Sequence, residues 1–220
     1  MRTLDEITAA VRRRCAAAPG GPAVLVGLSG IDGSGKGYLA GRLHSRLAQA
    51  GLEVAPINVD GWLNLPAVRF SSERPGEHFY HHALRLDAMF EWLVLPLREA
   101  RSVRLTAPYA EKTATAYRDH VYEFRSVDVV LVEGIFIFKR AYRRHFDLAI
   151  WIDCTFETAL ERALVRVQEG LPPDQTALAY RSIYFPAQRI HLERDDPRAG
   201  ADGVLVNDPR VMAVQEAGSR

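Results

Sequence analysis

Apolar residues recur along this chain in two rhythms, and the alternation of the two sets out its elements. In "TLDEITAAVRRRCAAA", Leu4, Ile7 and Val11 share one helical face behind Thr3 and Glu6 at capping-box spacing, and "PGGP" at 19–22 ends the helix. "AVLVGLSG" is a short apolar run bounded by glycines, the pattern of a strand buried on both faces. "GYLAGRLHSRLAQAG" places Leu39, Leu43 and Leu47 four apart and stops at Gly51. "EVAPINVDG" predicts a second strand, although Pro56 fits a sheet poorly. Residues 61–80, rich in Pro, Gly, Ser and aromatics, predict a loop over a site.

"LRLDAMFEWLVLPLREA" predicts a helix kinked or restarted at Pro96. "VDVVLVEG" and "DLAIWIDC" predict two more buried strands, and "TFETALERALVRVQEG" an amphipathic helix capped by Thr155. After the polar "LPPDQ" comes a second helical segment with Tyr180, Ile183 and Ile190. "GVLVND" predicts a short last strand, and residues 209–220 a frayed tail. Strands alternating with helices argue an α/β fold with a largely parallel sheet. A chain of 220 residues suits one domain spanning 1–220.

Composition narrows the setting. A net charge of +1 gives no reason to expect nucleic acid or an anionic membrane as partner. Cys15 and Cys154 make no disulfide framework, which suits a reducing cytoplasm. The N-terminus lacks the apolar stretch of a signal peptide, and "VDVVLVEGIFIF" is too short and interrupted to cross a bilayer. The expectation is a soluble cytoplasmic protein with a small-molecule partner, self-association remaining open.

The chemistry starts at Gly30-Ile31-Asp32-Gly33-Ser34-Gly35-Lys36, which follows a predicted strand and opens a predicted helix. Glycines let the backbone curl so that several N–H groups point at one anion, and the helix N-terminus adds its dipole. Lys36 supplies a charge for the outer phosphates of a nucleotide such as ATP. The next position usually carries a hydroxyl that holds magnesium; here it is Gly37. Mg²⁺ keeps several waters, so acidic groups nearby can still hold it, and catalysis is weakened or rearranged rather than excluded.

Asp60 and Glu133 end predicted strands, in "INVDGW" and "VVLVEG". Ligands of open α/β sheets gather at such strand ends, so both acids point toward the phosphate loop. Asp153 shares the position type but precedes a helix start, where a capping role is commoner. Arg162 and Arg166 lie four apart on one helix face, either as a phosphate clamp or as a solvated surface beside Glu161 and Glu169. His78, His81 and His82 lack the companions of a familiar metal set and fit a pocket wall or solvated loop better. Tyr109 and Tyr117 flank a polar hairpin-like stretch, where they could stack a base or simply pack.

"GIDGSGKGYLA", "INVDGW", "VDVVLVEGIFIF" and "ERALVR", in this order, resemble the uridine kinase branch of the P-loop kinases, whose layout phosphoribulokinases and pantothenate kinases share. The tail "FPAQRIHLERDDPRAGADGVLVND" resembles that branch as well. The likeness covers roughly residues 23–208, which makes the first helix (within 1–20) an addition. It implies a P-loop NTPase-type sheet with a helical lid, and ATP-dependent transfer, with Mg²⁺, to a small-molecule hydroxyl, a nucleoside foremost. It further implies Asp60 as base, Glu133 at the metal, Arg162 and Arg166 in the lid, and Glu73 near a ribose.

The chain departs from the pattern at Gly37. It also departs after Pro108-Tyr109, where "AEKTATAYRDH" lacks an expected histidine, and at "EGLPPD", which replaces a second arginine pair. Uridine recognition therefore does not follow. Three alternatives remain: a pantothenate-type kinase, a nucleoside monophosphate kinase, and a catalytically silent ATP-binding protein. A monophosphate kinase needs an arginine-rich acceptor site, and the stretch after Asp60 offers Arg69 and Arg74.

Overall fold

The structure is a computed structural model that describes residues 3–166 and 170–212. Helix α1 (Leu4–Ala17) starts with the capping box intact: the Glu6 N–H donates to the Thr3 hydroxyl, and the Thr3 N–H to the Glu6 carboxylate. Strand β1 (Val24–Gly30) is buried along its whole length, and helix α2 (Lys36–Gln49) follows it after the glycine loop. Strand β2 (Val54–Asn58) then leads into a 3-10 turn, Val59–Trp62.

Residues 61–80, expected as a loop, instead hold the end of that turn, a short helix α3 (Pro66–Arg69) and most of α4 (Pro75–His82). Both helices have proline in their first turn, where a missing N–H costs nothing. The same prolines that read as loop punctuation thus start helices here.

Further on, α5 (Leu86–Met89) and α6 (Leu95–Ala100) join through a π-helical turn, Phe90–Val94. The Leu95 N–H reaches back five residues to the Phe90 carbonyl. Pro96 follows at once, so a wider turn absorbs the donor it lacks, where a kink or restart was expected. The device recurs downstream: α9 (Pro173–Ala179) passes through a π turn, Tyr180–Tyr184, into α10 (Phe185–Asp195), and the Phe185 N–H bonds to Tyr180 O just before Pro186.

A two-stranded antiparallel hairpin, β3 (Val103–Tyr109) with β4 (Arg118–Phe124), stands apart from the main sheet. The hairpin-like stretch between Tyr109 and Tyr117 is its turn, while the strands themselves were not set out, although "VRLTA" alternates apolar and polar residues as a half-exposed strand does. Strand β5 (Val129–Glu133), a turn of helix α7 (Arg140–Arg143), β6 (Leu148–Asp153), helix α8 (Phe156–Arg166) and β7 (Gly203–Val206) complete the named elements.

The main sheet is parallel in the order β2-β5-β1-β6-β7. Pro56 is accommodated because β2 is an edge strand. The period-two alternation of β1 splits the core between two faces. Val24, Val26 and Leu28 pack with Leu4, Ile7, Leu43 and Leu47 of α1 and α2, while Leu25 joins the core on the other side. The added first helix is therefore part of the packing. Residues 209–212 are helical, in contrast to the frayed end expected; 213–220, like Glu169, lie outside the described residues. No helix among the described residues is long and apolar enough to cross a membrane.

Candidate active site

The glycine loop joins β1 to α2 at the carboxyl end of the sheet. Gly33 and Gly35 have φ of 78° and 88°, the left-handed region that glycine enters freely. A β-carbon on Gly33 would also lie 2.5 Å from the Ala159 carbonyl oxygen, so no other residue fits beneath α8. Lys36 is the first residue of α2 and 8% exposed; its Nζ donates to the Ile31 carbonyl at 3.0 Å. That bond folds the lysine back over the loop.

Neighbouring elements brace the loop. The Asp32 N–H donates to Gln188 Oε1 (3.1 Å), and Asn207 Nδ2 donates to the Ser34 carbonyl (2.7 Å). The Asp32 carboxylate accepts from the Tyr180 hydroxyl (2.7 Å) and from Arg166 (3.4 Å). Burial alone would raise the Asp32 pKa, but Lys36, Arg166 and the Tyr180 hydrogen bond together hold it below the ordinary value. Arg162 donates to the Gly33 and Ser34 carbonyls at 3.4 and 3.3 Å. Both α8 arginines thus touch the loop and line, with it, a cavity of about 810 Å³. Arg166 is ion-paired to Asp32, which separates it from an ordinary solvated helix residue.

Glu133 ends β5 beside Leu28 of β1 and Asn58 of β2, and accepts a hydrogen bond from Asn58 Nδ2. Burial pushes its carboxyl above the usual value; Lys36 opposes this, and the Asp60 and Asp32 carboxylates add to it. Asp60 lies in the turn after β2, two residues past the strand end, with its N–H donated to Asn58 Oδ1 (2.7 Å). Asn58 therefore ties the two acids together. The Asp60 carboxylate is half-exposed to the cavity and 3.8 Å from Lys112 Nζ.

Among the described residues no three ligand-type side chains converge into a ready cation site. A magnesium ion carried on a nucleotide keeps water and phosphate oxygens as ligands and needs only one or two carboxylates. Glu133 and Asp60, crowded acids at the rim of the phosphate loop, fit that requirement.

Two residues expected to bind the acceptor, Glu73 and Tyr109, are not on the cavity wall, and Gly30, Ile31 and Ser34 of the loop do not line it either. Glu73 is exposed in the bend before α4, its N–H donated to Ser71 Oγ. Tyr109 packs on Gly61, with the Arg118 guanidinium 4.4 Å above its ring and His120 beside it. The expected histidine cluster lies on α4, with the His78 and His82 rings 4.4 Å apart and tilted by 40°.

The wall instead includes residues the sequence did not single out for the site: Gln188, Lys112 and Phe79, and Tyr180 and Asn207 behind the loop. Gln188 stands in the "PAQR" of the tail likeness, the one signal that could have found it. Lys112 comes from a hairpin tip, and no local pattern announces it.

No family model matches the chain. Its curated relatives include a dephospho-CoA kinase of Aromatoleum aromaticum, 29% identical over 83% of this chain and 84% of that protein. A uridine kinase of Cronobacter sakazakii is 25% identical over 83% and 86%. Similar solved structures include a possible uridine kinase from Bacillus stearothermophilus, with TM-score 0.67, 20% identity, and coverage of 91% of this chain and 99% of the other. A protein provisionally assigned as a fructose transport system kinase from Silicibacter matches with TM-score 0.71, 20% identity, and coverage of 93% and 99%. D-glycerate 3-kinase from Cryptococcus neoformans matches with TM-score 0.65, 13% identity, and coverage of 93% and 95%. The chain therefore has the P-loop kinase fold, and its similar structures include uridine kinase-like proteins.

Proposed function

We propose that this protein is an ATP-dependent kinase that phosphorylates a hydroxyl group of a small molecule. The observation that carries the reading is the convergence of Lys36, Glu133 and Asp60, from three separate segments, on one cavity. The loop N–H groups and Lys36 hold the nucleotide's phosphates. Magnesium, held by Glu133 and Asp60 on the nucleotide, would neutralise charge on the phosphates.

Asp60 orients the acceptor hydroxyl and takes its proton as the acceptor oxygen bonds to the γ-phosphorus. The bond from that phosphorus to the β-phosphate oxygen breaks, and ADP leaves. Arg162 and Arg166 sit where they can move from the loop onto the transferring group, and preorganised positive charge there favours the transition state.

The relatives named above agree in being kinases and differ in acceptor. A nucleoside is the finer reading, supported by the uridine kinase of C. sakazakii and the sequence resemblance. It has less support than the phosphate chemistry, because Glu73 is exposed and the Tyr109 ring is already covered. Incubation with γ-labelled ATP, Mg²⁺ and a metabolite pool tests the proposal. Label should move to a small molecule with wild type and not with Asp60→Asn. ATP binding without any transfer would favour a silent nucleotide-binding protein.

A further inference from the structure

Arg69 closes the acceptor end of the cavity from helix α3. The residue is 4% exposed and lies on the cavity wall near Asp60. One guanidinium nitrogen, Nη2, donates to the Lys112 carbonyl, and the group sits 5.1 Å from the Phe70 ring centre. Its Nε is buried and has no hydrogen-bond partner.

No carboxylate of the described residues pairs with it: the nearby Asp60 is paired with Lys112 instead. Burial draws its pKa below the ordinary arginine value, with Tyr184 and Asp60 opposing. A buried cation with an unused donor is costly to maintain. A guanidinium fork matches carboxylate and phosphate oxygens and no neutral group as well.

Resting on the kinase reading above, we propose that the acceptor is an anion. Its carboxylate or phosphate ester sits on the Arg69 guanidinium while its hydroxyl lies at Asp60. Leu63, Pro66, Phe70 and Phe79 give the wall between them an apolar surface, which suits a short carbon frame. The substrate class is then a hydroxy acid or a sugar phosphate rather than a neutral nucleoside.

Calorimetric titrations on protein saturated with Mg²⁺ and a non-hydrolysable ATP analogue test this. Occupying the phosphate loop prevents anions from binding there. Sorbitol, gluconate and sorbitol 6-phosphate share one frame and differ in charge, and uridine supplies the neutral nucleoside. Gluconate or sorbitol 6-phosphate should bind at least about tenfold tighter than sorbitol, as expected for one charge-assisted contact, and the better of the two names the anion. Arg69→Met should erase that preference while leaving sorbitol and analogue binding unchanged. Arg69→Lys, which keeps the charge, should restore part of it.

An Arg69 that only supports the hairpin would instead weaken all ligands together. Equal behaviour of sorbitol and both acids, absence of binding included, overturns the proposal. So does an unchanged preference in Arg69→Met, or uridine binding more tightly than both acids. Failure of the analogue to bind wild type counts against the kinase reading instead. The same titrations without nucleotide, comparing Arg69→Met with Lys36→Ala, then decide the anion site by itself.

Discussion

Gly37 and Glu133 face each other at the mouth of the phosphate loop: a β-carbon built on Gly37 would lie 3.7 Å from Glu133 Oε1 and meet nothing closer. The position that lacks the usual hydroxyl is therefore open space beside an acid. A serine there is sterically permitted and would point its hydroxyl toward the group proposed to hold the metal. Gly37 is also helical, where glycine is the poorer residue.

Gly37→Ser should accordingly fold, gain a few tenths of a kcal/mol of stability from helix propensity, and lower the Mg²⁺ concentration needed for half-maximal rate or leave it unchanged. Glu133→Gln should raise that concentration. Magnesium titrations of initial rate check both, and an unaltered magnesium dependence in Glu133→Gln removes this residue from the metal.

Lys36→Ala should weaken ATP binding by roughly 1.5–3 kcal/mol, the worth of a hydrogen bond to a charged group. The lysine's bond to the Ile31 carbonyl also holds the loop, so circular dichroism should accompany the calorimetry. Unchanged affinity in a folded variant contradicts the phosphate-loop reading.

Asp60→Asn keeps the shape and the hydrogen bonding of the side chain but cannot accept a proton. Turnover should fall about 10²–10⁴-fold with ATP affinity retained. Lost ATP binding in a folded variant would instead make Asp60 chiefly a metal ligand. Full turnover would take it out of the chemistry.

Asp195, at the end of α10, accepts from Tyr80 (2.6 Å), His191 (2.7 Å) and the Arg140 N–H (3.1 Å). Burial works against its charge, yet these hydrogen bonds hold its pKa down from 3.8 to about 2. A depressed carboxylate stabilises the fold above its unfolded pKa and loses that contribution as pH falls through the folded one. Stability should thus drop by roughly 2 kcal/mol between about pH 4 and pH 2 on this account. Asp195→Asn should flatten that part of the profile in denaturant titrations. An identical acid profile in the variant would assign the loss to other carboxylates. Because α10 also carries Gln188, the phosphate loop should loosen over the same range.

Local pattern determined much of this protein. The short runs around Leu25, Val130 and Ile150 read as buried strands, because side chains apolar on both faces need cover on both faces. Gly33, Gly35 and Lys36 announced an anion site because the backbone geometry it requires is open to glycine and closed to most residues. Asp60 and Glu133 could be singled out because strand ends in such sheets share one edge.

Tertiary structure decided what depends on long-range neighbours. Pro56 and Pro96 read as obstacles, and only an edge position and a π turn accommodated them. Whether Arg69 was a surface residue or a buried cation depended on where α3 came to rest against the hairpin tip, 43 residues away at Lys112. Glu73 and Tyr109 have types suited to a binding site, but chain direction carried the first to an exposed bend and the second under Arg118. Residue type sets what a side chain can do; packing between distant segments sets whether it faces the ligand.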